Sequence, residues 1–592
     1  MTLNILNKIN EPKDLKYLSR EELNLLSSEI RDVLIKRVST TGGHFGPNLG
    51  MVEATIALHY VFNSPVDKFV YDVSHQSYVH KMLTGRKEAY INPEKFKTVT
   101  GYTEPKESEH DFFTIGHTST SISLACGLAK GRDAVGSNEN IIAIIGDGSL
   151  SGGEAYEGLN NAAASNKNII ILVNDNDISI AENHGGLYKN LAQLRESEGK
   201  LDNNFFKSLG FEYHFVKDGN NLESLIETFE KVKDTTRPVV VHMHTIKGKG
   251  YEDAENNKEA FHWVMPFDLE TKEPLFKGEY VKSYGDITED FLIEKAKKDK
   301  SIVAITAATP GIVGVNRFRS ELQDQYVDVG IAEEHAIALA SGMAKRGAKP
   351  VAAFLSSFIQ RTYDQLSQDL AINNNPATIM VYWGGISSSD VTHLGLFDIP
   401  LISNIPNMVY LAPTTKEEHL AMVDWAIEQD KHPVAIRVPN MEVVSTGVAV
   451  EANFDELNKY VMVEEGKDVA IIGLGSFFHL GKKVQERLRN TGINATLINP
   501  RFITGVDEDL LNELKENHKV VITLEDGILD GGFGEKIARF YGNSQMRVLN
   551  FGATKEFTDS VELDVLYERY HLTEELIVED IEKVLADIKV FA

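Results

Sequence analysis

The 592-residue chain has a single cysteine, Cys126, which excludes an internal disulfide and a cysteine zinc cluster. No apolar run approaches the roughly 18 residues that a membrane span needs, so membrane-spanning readings fall away. Basic residues are short: 60 Lys plus Arg face 87 Asp plus Glu, a formal charge of −27. With a pI near 5.1 and no Lys/Arg cluster to form a basic stripe, nucleic acid is not an expected partner. No HExxH occurs, which disfavours a histidine metal site, and no short-period repeat is visible. The opening MTLNILNKINEPKDL lacks the sections of a secretory signal and the Arg-rich character of a transit peptide, so a cytoplasmic enzyme is expected. What remains is a globular composition, 25% charged and 42% hydrophobic. At roughly 150 residues per domain the length suggests three or four domain equivalents.

Short β-branched runs recur, each followed by Gly, Asp or Asn and then by a helical stretch, which is the pattern of parallel sheets covered by helices. The expected fold class is α/β, with three consecutive domains and mostly parallel sheets. In the first block, residues 1–267, Ile141 to Ile145, Ile169 to Val173 and Val239 to His242 read as buried strands. An acidic stretch with Gly and Pro breakers, residues 268–283, reads as a linker. The second block, 284–445, has strands near Ile302 to Ile305, Val351 to Phe354, Thr378 to Val381 and Val434 to Arg437. The third, 455–592, has them near Val469 to Ile472, Ala495 to Ile498, Val520 to Leu524 and Val548 to Phe551. Ligands of such sheets sit at the carboxyl ends of the strands.

Two of those ends carry oxygen ligands. Gly146-Asp147-Gly148 follows the strand at Ile141, and Asn176, within Asn174-Asp175-Asn176-Asp177, follows the next apolar strand. A hard divalent cation holding a diphosphate wants a few carboxylate or amide oxygens in near-octahedral geometry. Asp147, Asn176 and the backbone carbonyl near Ile178 could supply three. Gly146, Gly148, Gly152 and Gly153 would let the backbone approach the phosphates, with Ser149 a further cofactor-binding candidate among them, and a helix beginning near Gly153 would point its N-terminus at them. Alone, GDG is a common turn; with the second ligand strand, the pattern matches a thiamine-diphosphate-binding motif.

In these residues and in further ordered segments, the sequence resembles the 1-deoxy-D-xylulose-5-phosphate synthases, relatives of transketolase. The resemblance runs from about Ile9 to the end. Its segments include TGGHFGPNLG at Thr41, DVSHQSYVHKMLTGR at Asp72, IGHTSTSIS at Ile115, VDVGIAEEHA at Val327, SFIQRTYDQ at Ser357 and THLGLFD at Thr392. It implies a transketolase-like fold, thiamine diphosphate and Mg²⁺ as cofactors, and a homodimer. The implied activity decarboxylates pyruvate and joins the two-carbon unit to an aldehyde, glyceraldehyde 3-phosphate in the family, for isoprenoid biosynthesis.

Thiamine diphosphate needs a carboxyl group hydrogen-bonded to its aminopyrimidine in a dry pocket. Glu333, in GIAEEHA, matches that glutamate; otherwise it is an acid in a first helical turn, stabilised by the dipole. Phe358 would stack on the pyrimidine or is ordinary core. By resemblance His75 and His117 lie near the diphosphate or thiazolium, while His44, His262 and His393 handle protons on substrate and intermediate. His80 and His335 fit structural roles better, and His242-Met243-His244 reads as packing. Arg361 and Asp390 match positions that hold pyruvate or its adduct, an arginine being able to clamp a carboxylate in bidentate fashion. Otherwise Arg361 is a helix-surface salt bridge.

The acceptor site departs from the family. Trp383 and Asn440 stand where two phosphate-gripping arginines belong, Pro47 replaces a hydroxyl-bearing residue and Leu355 a tyrosine. Arg437 aligns with a strand arginine rather than with the clamp. Between Asn183 and Phe205 the chain looks tens of residues shorter than the family, in a region that forms a mobile active-site segment there. A neutral or differently phosphorylated acceptor is therefore expected. Two other readings stand beside this one: a transketolase-type transfer from a ketose, and a catalytically silent cofactor-binding protein.

Overall fold

Fully buried β-branched runs set the architecture. The computed structural model describes residues 3–165, 168–276, 278 and 281–591. In the first sheet, β1 (Lys68–Tyr71), β2 (Ile141–Gly146), β3 (Ile170–Asp175), β4 (Glu212–Val216) and β5 (Val239–His244) run parallel in the order β1-β2-β3-β5-β4. Side chains alternate across a strand. Ile142, Ile144, Ile170 and Leu172 therefore enter one core, while Ile141, Ala143, Ile145 and Ile171 enter the core on the opposite face. Covering both faces explains why β2 and β3 are apolar throughout rather than alternating.

The second sheet comprises β6 (Ile302–Thr306), β7 (Tyr326–Asp328), β8 (Lys349–Leu355), β9 (Thr378–Tyr382), β10 (Val409–Leu411) and β11 (Val434–Arg437). All are parallel, in the order β10-β11-β9-β8-β6-β7. The third holds β12 (Val461–Glu464), β13 (Asp468–Gly473), β14 (Thr496–Asn499), β15 (His518–Ile528) and β16 (Arg547–Ala553), ordered β12-β14-β13-β15-β16. Only the β12–β14 pairing in this sheet is antiparallel.

The chain divides into two compact units, Met1–Glu279 with Gly330–Ala332, and Tyr280–Val329 with Glu333–Ala592. The first contains the first sheet. The second contains the other two, which share one apolar core: Ala352, Ile379 and Val381 of one sheet pack in the same cluster as Ile472, Ile498 and Val521 of the other. The expected linker, 268–283, carries no helix or strand among its described residues; its residues 277, 279 and 280 lie outside them. No helix among the described residues is long and apolar enough to cross a membrane.

Candidate active site

The first unit gathers its candidates at the carboxyl ends of β2, β3 and β5. Asp147 follows β2, with its N–H donating to the Asn174 carbonyl at 3.0 Å, and its carboxyl group is buried. Burial, then the neighbouring Asp175 charge, raises that carboxyl well above the usual range, while Lys247 pulls the other way. Asn176 follows β3. Its side-chain oxygen is buried and accepts no hydrogen bond, a costly arrangement in a finished core. Ile178 lies half-buried two residues on. These three residues offer a carboxylate, an amide oxygen and a main-chain carbonyl, the hard donor set suited to a magnesium-sized cation. Among the described residues no cluster of three His, Cys, Asp or Glu side chains competes for that role.

Asp147, Asn176 and Ile178 line one cavity of about 100 Å³ together with Gly146, Gly148, Ser149, His75, Lys247 and His262. A Cβ on Gly148 would come within 2.5 Å of the Ser179 hydroxyl, so only glycine lets this backbone pass so close to the cavity. A short 3₁₀ turn, Gly148–Ser151, leads into the helix Gly153–Ala163. Ser149, buried, accepts on its carbonyl from the Ser119 hydroxyl at 2.8 Å.

Three of the sequence-derived histidines converge. The His44 ring centroid is 4.9 Å from that of His75 and 5.6 Å from that of His262, and His75 stacks on His262 at 5.3 Å. Desolvation, then the neighbouring Lys247, His75 and His44, pulls His262 well below its ordinary range, which keeps a neutral imidazole in place. His117 is not among the cavity-lining residues; it precedes Thr118, which is, on a turn whose Ser119 and Ser121 N–H groups donate to Asp72. His80 belongs instead to a buried network, 2.8 Å from Asp111 and 2.9 Å from His59, and His335 is exposed. His242 is buried between Asp175 at 2.8 Å and the Tyr213 hydroxyl at 2.9 Å.

Two residues of this site were not read from the sequence. Lys247, just beyond β5, donates to the Ser179 carbonyl at 2.6 Å and lies 3.0 Å from His262 Nδ1; burial brings its ammonium down to about 7. Asn48, fully buried, donates to the carbonyls of both His44 and His75 at 2.8 Å and so ties the two histidine segments together. The available signals were a lysine between a strand end and glycines in TIKGKG, and a lone amide in the small-residue run GPNLG.

In the second unit, Glu333 begins the helix Glu333–Lys345 and is 4% exposed. Its Oε2 is buried without a hydrogen bond, and Arg361 Nη1 stands 3.6 Å away, in ion-pair range. Burial raises the Glu333 carboxyl, with the Arg361 charge opposing. The Phe358 ring packs edge-on against His393 at 5.6 Å. His393 Nδ1 is 3.1 Å from Asp390. Burial works to raise Asp390, but its bonds with His393 and Thr392 outweigh that and lower it.

Trp383 follows β9 and Asn440 comes shortly after β11, the strand beside it, where Val381 pairs with Arg437. Both side chains are exposed. Arg437 is buried and committed: its Nε donates to Asp398 at 2.7 Å and its Nη2 to the Asp526 carbonyl at 2.7 Å. Pro47 lines the first unit's cavity, whereas Leu355 is buried in the apolar core of the second sheet.

Comparison with known proteins gives consistent matches along the chain. Residues 6–202 and 198–245 match a family model described as 1-deoxy-D-xylulose-5-phosphate synthase. Residues 282–444 match the transketolase pyrimidine binding domain and 458–577 the transketolase C-terminal domain. The 1-deoxy-D-xylulose-5-phosphate synthase of Natranaerobius thermophilus is 38% identical, covering 90% of each chain. That of Caldanaerobacter subterraneus subsp. tengcongensis is 39% identical over 98% of each. That of Halothermothrix orenii is 39% identical over 97% of this chain and 96% of its own.

Proposed function

The chain belongs to the 1-deoxy-D-xylulose-5-phosphate synthase family, a group of thiamine-diphosphate-dependent transferases, and from that membership we propose that it decarboxylates pyruvate and joins the two-carbon unit to an aldehyde. The observation that carries the reading is the Glu333 carboxyl: buried, raised, and with one oxygen left without a hydrogen bond. A carboxyl in that state suits a group that must share a proton with an aminopyrimidine ring.

Thiamine diphosphate, when bound, supplies the centre at which the two carbons are activated. This chain's residues then do the following. Asp147, Asn176 and the Ile178 carbonyl hold the Mg²⁺ of the diphosphate, and Gly146, Gly148 and Ser149 line its approach. His75 and His117 serve the cofactor, and Phe358 packs on its pyrimidine. Arg361 holds the pyruvate carboxylate as a charge-assisted pair, and Asp390 orients His393 through its Nδ1. His44, His262 and His393 move protons on substrate and product. Lys247 sits beside His262, and its ammonium, when protonated, biases that histidine toward its neutral form.

Glyceraldehyde 3-phosphate is the family's acceptor, and we propose that this chain uses it less well than a neutral or differently phosphorylated aldehyde: Trp383 and Asn440 offer no guanidinium, and Arg437 is engaged elsewhere. The same reading divides the chain into domains 1–267, 284–445 and 455–592, and makes the protein a cytoplasmic homodimer, as family membership suggests. The deciding experiment measures carbon dioxide released from pyruvate with thiamine diphosphate and Mg²⁺, across a panel of aldehydes with product identification. No cofactor-dependent release with any aldehyde would overturn the proposal.

A further inference from the structure

The segment expected to be shortened, between Asn183 and Phe205, folds as a helix, Gly186–Glu196, whose Leu191 and Leu194 are fully buried. From this anchored base three polar side chains reach the two loops that carry Asp147 and Asn176. Asn183 Nδ2 donates to Asp147 Oδ2 at 2.9 Å, which holds the carboxylate in one orientation. The Tyr188 hydroxyl donates to the carbonyls of Asp147 and Gly148 at 3.2 and 3.1 Å, pinning the main chain of the first loop. Arg195 straddles the second: its Nη1 donates to both Asp175 oxygens at 2.8 and 2.7 Å, and its Nη2 to Asp177 at 2.5 Å. Asp175 and Asp177 flank Asn176, and Asp177 sits at φ +69°, a left-handed conformation that an aspartate adopts only at some cost. The guanidinium fork thus fixes both neighbours of an amide oxygen that is buried without a partner.

We propose that residues 183–196 form a positioning clamp for the cation site, with Asn183, Tyr188 and Arg195 setting the Asp147 and Asn176 oxygens before the cation arrives. The inference rests on the magnesium and thiamine diphosphate assignment above. Hydrogen bonds behind first ligands fix ligand orientation, and removing one costs about 10- to 100-fold in metal affinity. A site already assembled in the free protein spends less of its binding energy on ordering loops.

The test uses the full-length protein and calorimetric titration of thiamine diphosphate at stepped Mg²⁺, with hydrogen exchange of amides 174–180 in the cofactor-free state. Tyr188→Phe removes one hydroxyl and keeps the ring; Arg195→Leu removes the fork, and Arg195→Lys restores the charge without it. Expected are half-saturating Mg²⁺ concentrations raised about tenfold or more in Tyr188→Phe and Arg195→Leu, partial recovery in Arg195→Lys, and faster exchange at 174–180 in protein that still melts cooperatively. If the wild type binds the cofactor in a Mg²⁺-dependent way and both variants stay within about twofold of it, the clamp is wrong and these side chains only cap the fold. If the wild type shows no Mg²⁺-dependent binding, the metal assignment fails, and the clamp with it.

Discussion

Restoring arginine at positions 383 and 440 should convert acceptor preference toward a phosphorylated triose. Trp383 already occupies a left-handed backbone, φ +56°, with the residue 55% exposed, so Trp383→Arg adds no conformational strain that tryptophan does not carry and removes no core. Asn440 is likewise exposed, and it comes shortly after the strand that pairs with the one leading to Trp383. Two charge-assisted bonds to a phosphate are worth about 1.5 to 3 kcal/mol each, or roughly two to four orders of magnitude in discrimination. Both positions face solvent and are screened, so the lower end, about 10²-fold, is the expected gain. Arg437 cannot stand in, because its Nε and Nη2 are bonded to Asp398 and Asp526. The assay is the ratio of kcat/KM for glyceraldehyde 3-phosphate to that for glyceraldehyde, with pyruvate saturating. A wild type that already uses the phosphorylated triose with a micromolar KM, or a double variant with an unchanged ratio, would refute the reasoning.

Three further outcomes are expected. Asp147→Ala should abolish Mg²⁺-dependent binding of thiamine diphosphate, read by titration, because it deletes the one carboxylate of the oxygen set. Glu333→Ala should retain the fold and lose about 10²-fold or more in activity; C2 proton exchange of bound cofactor at the wild-type rate, followed by NMR, would contradict the role. Glu525 is pushed up to about 7 by burial, against the opposing pull of the Gly534 and Phe533 N–H groups. The folded state therefore keeps a proton between about pH 4.5 and 7 that the unfolded chain has lost, a contribution fully present below that window and gone above it. Glu525→Gln should flatten the fall in thermal midpoint across that window, and an identical pH profile in the variant would dismiss the assignment.

What the sequence made legible follows burial. Runs such as Ile141 to Ile145 and Val520 to Leu524 announce themselves because both of their faces enter a core. The strands without such a run, Lys68–Tyr71, Glu212–Val216, Tyr326–Asp328, Val409–Leu411 and Val461–Glu464, all lie at sheet edges, where short or half-polar segments suffice. At the site, Asp147 and Asn176 stand out as candidates because oxygen-bearing groups end two apolar strands, whereas Glu333 is singled out by the family resemblance alone, since an acid at a helix start has an ordinary structural reading. Lys247 could not: a lysine reads as solvated, and its titration near 7 comes from burial by segments distant in sequence. The convergence of His44, His75 and His262 is likewise a tertiary fact, arranged by Asn48 bridging two of them.

The buried Arg437–Asp398 pair, completed by the Asp526 carbonyl, bears on how this enzyme can diversify. An arginine in that setting is fixed, since losing either partner strands a charge in the interior. The neighbouring positions 383 and 440 carry no such obligation and stand in solvent. If acceptor choice rests on 383 and 440 as proposed, it lies on exposed residues just beyond two adjoining strands, apart from the buried pair that holds the fold, so a library randomised there should explore new aldehydes while nearly every member remains folded.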